Sequence, residues 1–266
     1  MSVRPAALAV ILIGTCCASL ARSQAVPFQF TQAPDIAVRA SALLRLDAAV
    51  GDVPFSAVDG AGGAGVLQGA RLTAWFGPRV GLLARAMTSR VAGDQRWSTQ
   101  LELRLRAVLR DRSAVALGVG ARQEFDGATV LLANLNGATR LGRSSLAAGA
   151  SLEHVLDASA RGRDPVDLMT SLGWSFALRD PIHVGIEAVG QDLEGFWNPD
   201  EAEGGATIFA GPSMMLAPTG ARWSLLLAAG RIFHASSSDR TSPAPRDFTT
   251  SNGYSVRAAF QLALDR

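Results

Sequence analysis

The sequence predicts a closed antiparallel β-barrel of about twelve strands that crosses a membrane. Three observations carry that expectation. Beyond residue 25 no stretch reaches the ~18–20 uninterrupted apolar residues that a spanning helix requires. Apolar and polar side chains instead alternate with period two over segments of about ten residues, the length of a tilted membrane strand. The connections between those segments alternate between short and long. Lipid offers no partner to a free backbone N–H or C=O, so a chain that crosses without helices must close its sheet into a barrel.

The N-terminus and the composition set the frame. Arg4 is followed by an apolar run from Ala6 to Ile13 and then by small residues ending at Ser23-Gln24-Ala25, the layout of a secretory signal cleaved after Ala25. Residues 1–25 are therefore read as an export signal and 26–266 as one barrel domain. Lipid attachment at Cys16 or Cys17 is the rival reading, but Thr15 stands where a lipobox carries Gly or Ala. Both cysteines fall inside the signal, so the remaining chain would hold no disulfide and no Cys-based metal site. At 266 residues, with 48% hydrophobic content and a mean hydropathy of +0.19, a disordered polar protein is excluded. The net charge is +2 and every basic side chain other than histidine is Arg. Acids and arginines are interspersed along the chain, so no concentrated basic face points to nucleic acid.

The alternation is clearest between Arg96 and Arg110. Trp97, Thr99, Leu101, Leu103, Leu105, Ala107 and Leu109 fall on one face, against Arg96, Ser98, Gln100, Glu102, Arg104, Arg106 and Arg110. A helix would turn Leu101 and Leu103 about 200° apart and leave no apolar stripe. The first such segment places Ile36, Val38, Ala40, Ala42, Leu44 and Leu46 opposite Arg39, Ser41, Arg45 and Asp47. Further strands are expected at Val66–Gly77, Val80–Thr88, Ala114–Phe125, Thr129–Thr139, Leu146–Leu156, Val166–Arg179, Ile182–Gln191, Ala206–Leu216, Arg222–Phe233 and Tyr254–Leu264. In Thr129–Thr139 and Ala206–Leu216, Gly, Ala and Pro blur the faces.

Tight turns are expected at Gly77-Pro78, Asp111-Arg112, Leu141-Gly142-Arg143, Asp180-Pro181 and Pro218-Thr219-Gly220, all built from residues that preset or permit turn dihedrals. The intervening links are long, at 51–65, 89–95, 157–165, 192–205 and 234–252; Asp126-Gly127 alone breaks the rule. A soluble β-sandwich would also alternate, but it predicts no such asymmetry of connections. Phe76, Phe176, Trp223 and Phe260 fall near the short-turn ends on the apolar face, where an interfacial girdle belongs. Through signal, dyad repeats, turn asymmetry and a terminal amphipathic strand, the chain resembles the bacterial outer-membrane β-barrel class. That resemblance implies an outer-membrane location, lipid as the surrounding partner and both termini in the periplasm. The ending Leu264-Asp265-Arg266 departs from the terminal aromatic residue usual in the class.

If apolar stripes meet lipid, the opposite faces line the interior. Arg39, Arg45, Arg71, Arg85, Arg104 and Arg106 then form a cationic wall, joined by Glu102. Later strands add Glu124, Glu153, Asp167 and Glu187, with Arg122 and Arg179. Such an interior suits a narrow porin-like channel for small polar or anionic solutes. It equally suits a lumen packed shut by ion pairs, in a barrel serving as envelope scaffold or adhesin. A third reading makes His234 and Ser236 a lipid acyl hydrolase pair, although Ser237 stands where those enzymes carry Asn, and no catalytic residue is assigned. The loop 192–203 gathers five carboxylates around Phe196 and Trp197 without the spacing of a Ca²⁺ loop. Gly60–Gly65 lacks the Lys-Ser/Thr of a phosphate-gripping loop. No metal and no cofactor are expected, and His154 and His183 are read as packing residues.

Overall fold

The computed structural model describes residues 28, 41–52, 64–91, 94–125, 127–159, 165–191, 193, 207–235, 248–249 and 253–264. The expected signal, Arg39, most of the acidic loop 192–203 and Ser236 lie outside them.

Period-two alternation becomes a single antiparallel sheet. Its strands are β1 (Ser41–Asp52), β2 (Ala64–Trp75), β3 (Val80–Val91), β4 (Asp94–Arg110), β5 (Ser113–Gln123), β6 (Thr129–Leu141), β7 (Ser144–Val155), β8 (Val166–Arg179), β9 (Ile182–Gln191), β10 (Thr207–Leu216), β11 (Trp223–Ala235), β12 (Phe248–Thr249) and β13 (Tyr254–Ala263). Strands β1 to β11 pair in sequence order, and β13 pairs with both β11 and β1. The sheet is therefore sealed, with no free edge among its twelve long strands. The two-residue β12 sits outside that circuit, pairing with His234 and Ala235 of β11. It adds a short pairing within the long link expected over 234–252, and β11 extends to Ala235. The long link expected at 89–95 is also shorter, because β3 reaches Val91 and β4 begins at Asp94.

Both predicted ends of β8 and β9 coincide with the observed ones, as do one end each of β3 (Val80), β4 (Arg110), β6 (Thr129), β10 (Leu216) and β13 (Tyr254), and the other described ends shift by a few residues. Glycines with positive φ stand in the short turns, at Gly77, Gly142 and Gly220, as left-handed backbone requires. The short link at the other rim closes through Glu124 N–H donating to Ala128 O and Gly127 N–H donating to Glu124 O. It turns Phe125 inward, where it packs with Ala49, Leu67 and Met87.

Side chains divide by parity. Leu103 is 55% exposed, whereas its neighbour Arg104 is 6% exposed. Leu101, Val119, Leu152, Leu172 and Ile186 are likewise exposed on the outside, a contiguous apolar surface far beyond what a soluble monomer displays. Among the described residues no helix is long and apolar enough to cross a membrane; this apolar surface belongs to the strands. Aromatic side chains reinforce its turn-side border, with Trp223 stacked on Phe260 and Trp174 on Phe176 at ring-centroid separations of 6.4 Å.

Two bulges break parity and correct two expectations. Between Arg106 and Val108 the β4–β5 register shifts, so Val108 faces outward and Arg110, expected on the wet face, is exposed at the rim. The shift between Ala177 and Arg179 likewise leaves Arg179 exposed instead of inside. One inserted residue reverses the facing of everything beyond it.

Candidate functional site

Register brings the interior arginines into one row. Arg45 of β1 lies directly opposite Arg71 of β2, and Arg71 directly opposite Arg85 of β3. The row continues through Gln100 of β4 to Arg122 of β5, and on the other side Arg45 faces Gln261 of β13. Like charges directly opposite on neighbouring strands destabilise a sheet, so this row costs folding energy.

The row borders a cavity of about 150 Å³ inside the barrel, which also receives Arg257 of β13 and Asn134 and Asn136 of β6. Among the described residues five arginines line it, against two carboxylates, Asp47 and Glu153. Both carboxylates are engaged. Asp47 accepts from Arg45 Nε at 2.8 Å, and Glu153 accepts from Arg122 at 2.5 and 3.1 Å. The Asn134 Nδ2 donor is buried beside the cavity with no hydrogen-bond partner among the described residues. Hydrogen-bond donors therefore dominate the lining, in a fork geometry that suits planar oxyanions.

The remaining expected lining residues are placed differently. Glu102, with no exposed surface, holds Arg104 at 2.8 Å and also accepts from Gln100 Nε2. This pair lies in the packed wall and not among the cavity residues. Arg106 stacks its guanidinium 3.7 Å above the Trp75 ring and donates to Pro78 O, which anchors it at the β2–β3 turn. Glu124 accepts from Arg122 Nη2 at 2.8 Å, so Arg122 joins two carboxylates. Glu187 is buried in a register line with Gly173 and Gly211 and does not line the cavity. The expected field between a cationic and an acidic wall thus takes another form: pairs in the wall and a cationic excess at the cavity.

Sequence reasoning overlooked Arg257, Asn134 and Asn136, although each sits at an inward position of its own alternation. It also overlooked Phe28, whose side chain is 2% exposed and whose carbonyl accepts from Arg45 Nη1 at 3.0 Å. No local pattern announces that contact, because it joins the segment before β1 to the interior. His234 pairs in β11 with Thr207 and Thr249; Ser236 lies outside the described residues.

No protein-family model matches the sequence, and no curated protein matches it either. Solved structures do match. A KdgM porin superposes with a TM-score of 0.56 at 8% identity, covering 83% of this chain and 98% of the porin. A KdgM porin in complex with disordered oligogalacturonate gives 0.53 at 9% identity, covering 84% and 98%. At such identities the likeness is one of fold: this chain is a closed antiparallel β-barrel with the fold of these porins.

Proposed function

We propose that the protein is a narrow outer-membrane channel for small anionic solutes, with the row Arg45–Arg71–Arg85 as its selective surface. The observation that carries the proposal is that three like charges stand directly opposite one another on adjacent strands and border a cavity with five arginines and two carboxylates. Packing does not call for such an arrangement, since it opposes folding; an anion drawn between the guanidinium groups offsets that repulsion. Carboxylates and phosphates fit the donors, and the oligogalacturonate held by one barrel of the same fold makes acidic sugars a reasonable first solute class. The outward apolar surface supports the membrane setting.

Bilayer recordings under a salt gradient test this. The wild-type barrel should carry stepwise, anion-selective current. Arg71→Gln should lower the anion-to-cation permeability ratio at least about tenfold, the effect on a monovalent anion of losing one unit charge felt at about 12 Å through an effective dielectric of about 20. Current of unchanged selectivity in that variant removes the row from the mechanism. Phe28, buried against Arg45, favours the competing reading of a filled, non-conducting barrel that acts as scaffold or adhesin. Absence of stepwise current from folded protein decides for that reading.

A further inference from the structure

A second cationic compartment lies at the short-turn end of the barrel. It measures about 450 Å³ and is lined by Arg140 of β6, Arg143 of the β6–β7 turn, His183 of β9, Arg222 beside β11 and Gln261 of β13. Among the described residues, none that lines it carries a carboxylate. Asp180, in the β8–β9 turn, is not part of the lining and accepts a hydrogen bond from the Thr219 hydroxyl. Arg143 is held in place: its Nε donates to Ala177 O at 2.8 Å, its Nη2 donates to Leu178 O, and its guanidinium lies 5.0 Å from the Phe176 ring centroid. The compartment adjoins the central row, because Gln261 in its wall stands directly opposite Arg45.

We infer that this compartment is a second anion-binding site, separate from the arginine row, for the carboxylate or phosphate groups of small solutes. Among the described residues, Arg140 and Arg222 line this space with no lining carboxylate to neutralise them, and the surrounding low-dielectric wall concentrates their field. Its part in transport rests on the anion-channel reading: a solute leaving Arg45 would pass Gln261 into a region that still favours negative charge. The site itself does not depend on conduction.

The test reads local potential directly. In the full chain with Cys16→Ser and Cys17→Ser, a single reporter Ser145→Cys in the compartment wall is labelled with a negatively charged and with a positively charged methanethiosulfonate. Relative to a free thiol, the rate ratio should favour the anionic reagent by about sevenfold, the ratio that a potential of about one kT produces between charges −1 and +1. Arg140→Gln with Arg222→Gln should return the ratio to that of the free thiol. Ala177→Cys supplies the same readout from another wall position, and heat-modifiable gel migration verifies folding of each variant. A free-thiol ratio in the parent reporters, or a bias that persists in the double variant, overturns the inference. Anionic bias in a barrel without anion-selective current upholds the site and overturns the channel reading alone.

Discussion

Glu102 and Arg104, two residues apart on β4, form a 2.8 Å pair in which neither member is a tenth exposed. Arg71 faces two other arginines. These environments predict opposite consequences for the same truncation. Arg104→Ala leaves the Glu102 carboxylate buried without its cation and should destabilise the barrel by about 3–5 kcal/mol. Arg71→Ala removes two like-charge contacts and should leave stability unchanged or raise it by up to about 1 kcal/mol. Urea unfolding of detergent-folded protein measures both, and equal losses in the two variants would show that the row and the pair have one structural role. Glu102, two residues before Arg104 on the same face of the same strand, was legible beside it in the sequence. The arginines beside Arg71 were not, because only cross-strand register brings Arg45 and Arg85 alongside it.

At the scale of the strand, alternation was legible because a pleated strand in a barrel has one apolar and one polar solvent, and period two records that division. It was least legible in β6 and β10. In β10, pairing to β9 is continuous through Pro212↔Ile186, whereas pairing to β11 skips Gly211 and Pro212. Proline lacks the N–H that the ladder would need there. A Cβ on Gly211 would lie 2.0 Å from Ala229 O, so the residue reads as a close backbone approach and not as a failed strand. Bulges were invisible because one extra residue changes register without changing composition. Spin labels give the element-scale prediction. Labels at Leu103 and Arg104 should report lipid and water respectively, while labels at Ala107 and Val108, beside the β4 bulge, should both report lipid. Strict alternation of accessibility to oxygen and nickel reagents through all four positions would contradict the bulge.

For the molecule as a whole, everything depends on closure between β1 and β13, whose nine paired positions run from Leu43↔Ala263 to Gly51↔Ser255. Ala48 and Ala258 are directly opposite in that seam, within the Cα separation of about 4.5–5.5 Å found for antiparallel partners that a disulfide can bridge. With Cys16 and Cys17 replaced by Ser, Ala48→Cys with Ala258→Cys should form an interstrand disulfide on oxidation. Boiled, unreduced protein should then migrate differently from the same sample after reduction. A double variant whose boiled migration is unaffected by reduction would refute the seam. The sequence by itself determined the fold class, nearly all the strands, the turn asymmetry and which face of each strand is polar, because those follow from which solvent meets each successive side chain. Only the tertiary structure decided which distant polar residues meet: the arginine row, the Arg122–Glu153 pair, the contact of Phe28 with Arg45 and the turn-end compartment. Sealing the sheet sets its stagger, and stagger brings together side chains that lie far apart along the chain, a relation that no local period encodes.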